Sequence, residues 1–280
     1  MTACEIENLP PLRDVIREHG LAAKKSLGQN FLLDLNLTRK IARAANLSPE
    51  MTVIEIGPGP GGLTRALLEQ EIKTLYAIER DDRCIQALQP VIQASQGRLV
   101  VHAQDALQID VVDHTDEPRA IVANLPYNIA TVLLINWLKS ATAFQSMTLM
   151  FQKEVAQRIV APVGTKAYGR LSVISQWLCA CKIAFDVPAS AFTPPPKVTS
   201  SIVHMRPYTG QTATPKLSTV EKITAMAFNQ RRKMIRQSLK SLVPDIRGFL
   251  NQVDMDETHR ADHLSVEDYL TLARHYEDNY

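Results

Sequence analysis

The stretch Val53–Thr64, VIEIGPGPGGLT, determines the class of fold that the chain can adopt. Its apolar start predicts a buried β-strand, and the segment GLTRALLEQ that ends the turn has the spacing of an amphipathic helix. Between them Gly57, Gly59 and two further glycines let the backbone turn tightly and let a ligand approach it closely. A strand, a glycine-rich turn and a helix in this order predict a nucleotide-binding α/β unit.

The same alternation of apolar and amphipathic segments extends from about Met51 to Val203. The predicted strands are MTVIEIG, TLYAIE, RLVVHAQD, RAIVAN and MTLMFQ, and the predicted helices are GLTRALLEQ, DDRCIQALQPVIQ, ATVLLINWLK and KEVAQRIVA. Apolar strands separated by helices indicate a parallel, Rossmann-like sheet with helices on both faces, in which ligands bind beyond the carboxyl ends of the strands. The later segments CKIAFDV and VTSSIVHMRP predict an antiparallel hairpin at one edge.

A polar, turn-rich stretch at Arg206–Thr219 predicts a domain boundary. We therefore expect an N-terminal segment and a Rossmann-like α/β domain over residues 1–208 and a small all-helical domain over residues 209–280. The helical segments of the second domain are TVEKITAMAFNQ, RRKMIRQSLKSL and SVEDYLTLARHYED, with Ser265 as the N-cap of the last. Ahead of the sheet, we expect a short helix, a basic loop and a second helix from about Leu35.

Composition excludes several classes of protein. The apolar fraction of 45% and the net charge of +2 are ordinary for a soluble globular protein, and the charge is too small to indicate a partner. The N-terminus has no apolar signal region, and no run is long enough to span a membrane. The four cysteines have neither zinc-ligand nor redox spacing, and the histidines are scattered singly. We expect free thiols, no metal site and a cytoplasmic protein without a membrane partner.

Acidic residues at the ends of the strands favour one ligand over another. Glu79 follows Gly57 by 22 residues, at the place where a carboxylate binds ribose hydroxyls in both NAD and S-adenosyl-L-methionine sites. Pro58 and Pro60 remove backbone N–H donors that a pyrophosphate needs. Because S-adenosylmethionine has no phosphate, the prolines favour it and make a dehydrogenase the weakest alternative.

Two further carboxylates fit the same donor. Asp105 follows the next strand, where its side chain would bind an adenine amino group. Glu55 lies inside the strand before the glycine turn, close to where the methionine portion would bind. As alternatives without a ligand, Glu79 would be a solvated strand end and Asp105 a helix N-cap.

The methyl acceptor is indicated by the stretch Ala120–Thr131, AIVANLPYNIAT. The exocyclic amine of adenine is a poor nucleophile because its lone pair is delocalised into the ring. The side-chain oxygen of Asn124 and the carbonyl of Leu125 or Pro126 can accept its two hydrogens, and Tyr127 offers a face for stacking. We refer to Asn124–Tyr127 as the clamp. The alternative is a capped turn after a core strand.

These motifs resemble the family of ribosomal RNA adenine N6,N6-dimethyltransferases, in particular its bacterial small-subunit members. The likeness covers about Lys24 to Lys240. Its landmarks are KKSLGQNFL, EIGPGPGGLT, AIERD, QDAL, NLPYNIAT, FQKEVAQRI, FTPPPKVTSSIV and NQRRKMIRQSL. The resemblance implies an S-adenosylmethionine-dependent enzyme that dimethylates two adjacent adenosines in a hairpin loop near the 3′ end of 16S rRNA. It also implies a role as a checkpoint in ribosome assembly, and we expect a monomer.

The resemblance assigns roles to individual residues. By likeness, the donor contacts are Asn30, Leu32, Gly57, Glu79, Asp105 and Asn124. Asn124, Leu125, Pro126 and Tyr127 resemble the family's target-amine clamp. Phe192, in FTPPPKV, resembles the aromatic residue that closes over the flipped base, and the alternative is a core phenylalanine.

Two basic stretches are candidates for RNA contact. They comprise Lys24, Lys25, Arg231, Arg232, Lys233, Arg236 and Lys240. On a helix, Arg232, Arg236 and Lys240 would share one face, and such a stripe can follow a phosphate backbone. The alternative is a solvated helix face.

Three other functions stay open at this point. The same clamp would serve an adenine-N6 methyltransferase acting on large-subunit rRNA or DNA. A protein glutamine methyltransferase would use a similar Asn-Pro-Pro-Tyr clamp, although the basic segment disfavours it. The third is a non-enzymatic assembly or transcription factor that retains the fold.

Overall fold

A computed structural model describes residues 3–21, 29–210 and 215–280. The strands are β1 (Phe31–Leu32), β2 (Thr52–Ile56), β3 (Thr74–Glu79), β4 (Leu99–Ala103), β5 (Arg119–Asn124), β6 (Ser146–Gln152), β7 (Cys179–Val187), β8 (Phe192–Thr193) and β9 (Ser200–Pro207). The helices are α1 (Ala3–Glu7), α2 (Leu12–Glu18), α3 (Leu35–Ala44), α4 (Gly62–Leu68), α5 (Asp82–Ala87), α6 (Gln89–Ala94), α7 (Tyr127–Lys139), α8 (Lys153–Ile159), α9 (Arg170–Leu178), α10 (Leu217–Asn229), α11 (Ile235–Ser238), α12 (Ile246–Asn251) and α13 (Val266–Asn279). The predicted α/β fold is confirmed.

The main sheet has seven strands in the order β4-β3-β2-β5-β6-β9-β7. The first five run parallel, and β9 runs antiparallel to β6. The two segments predicted as a hairpin, β7 and β9, are neighbours at one edge. Strand order reverses between β2 and β5, because the chain first builds outward through β3 and β4 and then returns. In open α/β sheets the ligand crevice lies at such a reversal.

The glycine-rich turn connects β2 to α4 at this reversal. Gly59 adopts a left-handed backbone, with φ at +55°, which side chains rarely tolerate. Gly62 is required for another reason, since a Cβ there would lie 2.6 Å from the carbonyl oxygen of Leu32. The short strand β1 therefore approaches the helix start more closely than any side chain would allow.

Replacing Gly62 by alanine tests this close approach. We expect a loss of about 1–3 kcal/mol in the free energy of unfolding, because backbone must move to admit the methyl group. Urea denaturation measures the loss. The matched control is Gly169→Ala, where the nearest neighbour of the added Cβ is 4.0 Å away. Equal stability of the two variants would contradict the packing described for Leu32.

Strand pairing and a side-chain hydrogen bond attach the N-terminal segment, which precedes the main sheet, to the rest of the first domain. β1 pairs antiparallel with β8, and Phe31 and Leu32 are buried. The guanidinium of Arg65, on α4, donates to the carbonyl of Pro10 at 2.7 Å, and burial lowers its pKa. Both predicted helices of this segment, α2 and α3, are present.

Contacts divide the chain into two compact units. The first comprises residues up to Ala156 together with Lys182–Pro207, and the second comprises Gln157–Cys181 and Tyr208–Tyr280. The second unit has its own buried core. The predicted boundary at residue 208 falls next to one of these divisions, but residues 157–181, including α9, group with the C-terminal helices because they pack on α10 and α13.

One predicted helix is wrong. The segment RRKMIRQSLKSL forms only the single turn α11, and Arg231–Lys233 are not helical. The backbone N–H of Ile235 donates to the carbonyl of His259 at 2.6 Å, and Met234 forms a bridge with Arg260. This pairing with a distant segment replaces the hydrogen bonds that a continuous helix would make.

The predicted N-cap of the last helix is confirmed. Ser265 caps α13 and accepts a hydrogen bond from the N–H of Asp268. No disulfide joins the described cysteines, Cys84, Cys179 and Cys181, and the side chain of Cys4 lies outside the described residues. No described helix combines the length and apolarity needed to cross a membrane.

Candidate active site

A single cavity lies beyond the carboxyl ends of β2, β3 and β5. The open space within it, including the solvent at its mouth, is about 1090 Å³. The predicted site residues that line it are Asn30, Leu32, Glu55, Gly57, Gly59, Glu79, Asp105, Asn124, Leu125, Pro126 and Tyr127. The predicted donor pocket and the predicted clamp are therefore two parts of one cavity.

Glu79 connects the glycine-rich turn to β3. Its Oε2 accepts the N–H of Gly59 at 3.1 Å, and its Oε1 accepts the N–H groups of Arg80 and Asp81, both at 2.9 Å. Burial raises the pKa of Glu79, while the three N–H donors favour the charged form. A carboxylate has about four acceptor positions, so one remains on Oε2 for a ligand hydroxyl.

Glu55 is the most unusual group in the cavity. It is 1% exposed, and its Oε2 has no hydrogen-bond partner among the described residues. Burial raises its pKa to about 8. A buried carboxyl oxygen without a partner at the wall of a cavity is adapted to a positively charged ligand group.

Asp105 is held by its neighbours. Its Oδ2 accepts from the guanidinium of Arg80 at 2.9 Å, and its Oδ1 accepts the N–H of Leu107 at 3.0 Å. These bonds occupy two of its acceptor positions and fix the plane of the carboxylate. The remaining positions are available to an amino group.

The segment containing Asn30 crosses the cavity and is attached on both sides. Gln29 donates from its side chain to Asp81 at 3.1 Å, and Asn124 donates from its Nδ2 to the carbonyl of Asn30 at 3.3 Å. The guanidinium of Arg83 beside Asp81 holds the pKa of that carboxyl at about 2. Asp81 therefore remains charged and keeps this attachment at neutral pH.

The clamp begins at the last residue of β5. Because the Nδ2 of Asn124 is bonded to Asn30, its Oδ1 is directed to another partner. The carbonyl of Pro126 accepts the N–H groups of Ile129 and Ala130, at 3.1 and 3.0 Å, as the first turn of α7 begins. Of the two carbonyls proposed from sequence, the one of Leu125 is therefore the better acceptor for a substrate amine.

Tyr127 is the first residue of α7 and is half-buried. Its hydroxyl lies 2.5 Å from the Oγ of Ser200, and either oxygen can donate. Burial raises the pKa of Tyr127, so the phenol stays neutral. A neutral ring with one edge anchored is suited to stacking on a base.

Phe192 does not line the cavity. It is 3% exposed, pairs with Leu32 across the β1–β8 sheet and packs in the main hydrophobic core. This placement favours the alternative, a core phenylalanine, and the role in closing over a base stays a prediction from the resemblance.

The predicted RNA-contact residues fall into three groups. Lys24 and Lys25 lie outside the described residues. Arg231 and Arg236 are engaged within the second unit: the guanidinium of Arg231 donates to the carbonyls of Thr165 and Lys166, and Arg236 forms an ion pair with Glu257.

The third group consists of Arg232, Lys233 and Lys240, which are exposed. The predicted stripe of Arg232, Arg236 and Lys240 on one helix face is wrong, since the helix that would align them is absent.

Sequence reasoning missed four residues that shape the site: Gln29, Arg80, Asp81 and Ser200. Each lies inside a landmark motif, GQNFL, AIERD or VTSSIV. The motifs therefore indicated that these residues matter. Their hydrogen-bond partners could not be inferred from spacing, because they are 25 to 73 residues distant.

The turn itself fits S-adenosylmethionine better than a dinucleotide. The N–H of Gly57 is bonded to the carbonyl of Ile78, that of Gly59 to Glu79, and that of Gly61 to the carbonyl of Pro58. With prolines at the two positions between, no N–H from Gly57 to Gly61 is left for a phosphate. The lone carboxyl oxygen of Glu55 instead suits a cation. No cluster of three metal-ligating side chains exists within the described part of the chain.

The comparisons agree with this geometry. The family model described as "Ribosomal RNA adenine dimethylase" matches residues 20–278. The chain is 56% identical, over 96% of its length and 94% of the relative's, to "Ribosomal RNA small subunit methyltransferase A" of Xanthobacter autotrophicus. It is 54% identical to the protein of the same name from Cereibacter sphaeroides, over 96% and 98% of the two chains.

Solved structures share the fold over most of the length of the chain. A dimethyladenosine transferase from Plasmodium falciparum aligns with a TM-score of 0.76 and 27% identity, over 85% of this chain and 94% of the other. The 23S rRNA methyltransferase ErmE aligns with a TM-score of 0.68 and 26% identity, over 89% and 100%. Because a family model spans nearly the whole sequence and relatives exceed half identity, the chain belongs to the ribosomal RNA adenine dimethylase family.

Proposed function

We propose that this protein transfers methyl groups from S-adenosyl-L-methionine to N6 of two adjacent adenosines in a hairpin loop near the 3′ end of 16S rRNA. The product is N6,N6-dimethyladenosine. The observation that carries the proposal is the single cavity that joins the donor pocket to the clamp. The names of the relatives support the small-subunit substrate.

The residues of the donor pocket hold different parts of the donor. Glu79 has an acceptor position for a ribose hydroxyl, Asp105 has positions for the adenine amino group, and Glu55 faces the positively charged portion. When bound, S-adenosylmethionine supplies an electrophilic methyl group on a cationic sulfur. The contribution of the protein is to hold the acceptor nitrogen in line with that methyl group, a matter of position rather than of acid or base strength.

The clamp prepares the adenine amine. The Oδ1 of Asn124 and the carbonyl of Leu125 accept its two N–H hydrogens, which orients the nitrogen and increases its electron density. Tyr127 stacks on the base, a contact worth ~1–3 kcal/mol. After the first transfer one N–H remains, so the clamp works with one of its two acceptors in the second round.

A strong general base is unnecessary. The methylated nitrogen is briefly an ammonium of low pKa, and it loses its proton readily to water or a nearby acceptor. The substrate base has to leave its stack to reach a cavity at the end of a sheet, which favours a target in a hairpin loop.

The exposed basic side chains of the second unit supply affinity for the RNA backbone. Of the predicted group, Arg232, Lys233 and Lys240 are free to do so, and Lys24 and Lys25 remain proposed contacts. Phosphate contacts of this kind add affinity without selecting the target.

Substitutions in this segment distinguish residues that contact RNA from residues that stabilise the fold. We expect the double variant Arg232→Ala/Lys233→Ala to weaken binding to unrelated RNAs equally and to reduce the salt dependence of log Kd by about 1–2. Filter binding at several KCl concentrations measures this. Arg231→Ala should instead destabilise the protein, since it removes donors to Thr165, Lys166 and Asp262. An unchanged salt slope in the double variant would exclude these two residues as phosphate contacts.

A labelling experiment distinguishes the proposed reaction from its alternatives. Purified protein is incubated with methyl-labelled S-adenosylmethionine and, separately, small subunits lacking the modification, large subunits, and DNA. We expect label in the RNA of the small subunit alone. Label in large-subunit RNA or in DNA, or label in a protein fraction, would overturn the assignment in favour of the corresponding methyltransferase.

The remaining assignments follow from the substrate. We place the protein in the cytoplasm, where bacterial ribosomal subunits are assembled, and propose that it acts as a monomer. A role as an assembly checkpoint is consistent with an enzyme whose substrate is a subunit precursor. Blocking methyl transfer while retaining binding, as in a clamp variant, would reveal that role as delayed subunit maturation.

A further inference from the structure

One hydrogen bond connects the clamp to β9, which lies two strands away from β5 in the sheet. The hydroxyl of Tyr127 and the Oγ of Ser200 are 2.5 Å apart, although the residues are 73 positions apart in sequence. Ser200 is 0% exposed, so the bond lies in a region without competing solvent. Because the base would stack on Tyr127, a hydrogen bond from the buried hydroxyl of Ser200 restricts the orientation of the stacking ring.

The sheet topology explains how Ser200 reaches the clamp. β9 runs antiparallel to β6, and Ser200 pairs with Gln152, the last residue of β6. The first residue of an antiparallel strand lies at the edge where its parallel neighbours end. Ser200 therefore stands at the carboxyl edge of the sheet, where Asn124 also ends β5.

Tyr127 needs such an anchor. As the first residue of α7 it has a fixed backbone, with Pro126 at the N-cap, but its ring can still occupy several staggered rotamers. Stacking on an adenine requires one orientation of the ring plane. The bond to Ser200 fixes the far end of the ring and thereby selects that orientation.

We propose that Ser200 is a positioning residue for methyl transfer, holding the ring of Tyr127 in the plane that receives the target base. This inference rests on the proposed function of the clamp. Because Ser200 does not line the donor pocket, its loss should affect the rate of transfer and leave donor binding unchanged.

The neighbouring serine provides a matched control. Ser201 is also 0% exposed and makes one side-chain hydrogen bond, to Asp186 at 2.7 Å, away from the clamp. Ser200→Ala and Ser201→Ala each remove one buried hydroxyl from adjacent positions of β9. Any general loss of stability should be similar in the two variants.

The test is single-turnover methyl transfer to small subunits at saturating donor, together with equilibrium binding of S-adenosylmethionine. We expect Ser200→Ala to lower the rate ~10-fold, as a misplaced reactant does, with Kd for the donor unchanged and Ser201→Ala near the parent rate. Tyr127→Phe breaks the same bond and keeps the ring, so it should cause a similar loss. The double variant should be no slower than either single variant.

Two outcomes overturn the inference. Equal rates for Ser200→Ala and Ser201→Ala would show that the hydroxyl has no role in positioning. Multiplied losses in the Ser200→Ala/Tyr127→Phe double variant would show that the two residues act independently. Absence of transfer by the parent protein, in contrast, would count against the proposed function itself and remove the basis of the inference.

Discussion

Replacing Asn124 by alanine is expected to lower the rate of methyl transfer at least ~100-fold at saturating donor, a loss typical of removing one preorganised hydrogen bond from a reacting centre. The Oδ1 of Asn124 is the clamp's side-chain acceptor. Its Nδ2 is bonded to the carbonyl of Asn30, so the amide is already oriented before substrate binds. An alanine offers neither function.

The same change should have a smaller effect on the fold and on donor binding. Asn124 is half-buried, and one lost hydrogen bond costs about 1 kcal/mol. Because Asn124 also holds the segment of Asn30 across the cavity, we expect the donor Kd to rise several-fold. Saturating donor corrects for this, and the loss of rate should persist.

Asn136 provides a control for Asn124. It lies on the exposed side of α7, where its side chain accepts from Lys139. Asn136→Ala should transfer methyl groups at the parent rate. A parent-like rate for Asn124→Ala would mean that the amine is oriented by the backbone alone, and the clamp would have to be abandoned in its present form.

Glu55 is expected to couple donor binding to proton release. In the free protein its raised pKa of about 8 keeps most of the carboxyl protonated at neutral pH. Burial and the negative charge of Glu79 on β3 favour the proton, while the hydroxyl of Thr64 on α4 favours the carboxylate. A bound cation reverses this balance and favours the carboxylate.

Calorimetric titration in two buffers of different ionisation enthalpy measures the coupling. At pH 7 the parent should release between about half a proton and one proton per donor bound, and donor affinity should rise with pH up to about 8. Glu55→Gln has the same shape and cannot ionise, so it should release almost none and should bind the cationic donor more weakly. An equal proton count in the two proteins would exclude Glu55 as the group involved.

The stability of the fold should also depend on the ionisation of Glu55. It should fall as pH rises, whereas donor affinity should rise. The ordinary pKa of a glutamate is 4.5, and folding raises it to about 8. Between these values the folded state retains a proton that the unfolded state has lost, so stability falls as pH rises through this window. Glu55→Gln should remove that slope and be more stable than the parent near pH 8 by up to a few kcal/mol. Urea denaturation at pH 5 and pH 8 measures the difference.

The features that could be predicted from the sequence depend on local chemistry. Glycine and proline act through the conformation and the N–H groups of their own backbone, so the strand, the turn and the choice of ligand could be inferred from about a dozen residues. The clamp was predicted in the same way, because Asn124 and Pro126 interrupt an apolar strand. Strand order then placed both at the reversal between β2 and β5.

The errors come from contacts between distant residues. RRKMIRQSLKSL has helical periodicity, but the N–H of Ile235 bonds to His259 instead, a partner that no local pattern reveals. The burial of Phe192 could not be read from a local pattern either, because Phe192 pairs with Leu32 on a short strand far away in the chain.

The most direct test of the account is nucleoside mass spectrometry of 16S rRNA from small subunits that lack the modification. The subunits are incubated with S-adenosylmethionine and either the parent protein or Asn124→Ala, and the digested RNA is examined for N6,N6-dimethyladenosine. The account predicts dimethylation of two adjacent adenosines by the parent and little or none by the variant. Unmodified rRNA after incubation with a parent protein that still binds the subunit would contradict it and would indicate an assembly factor without catalysis.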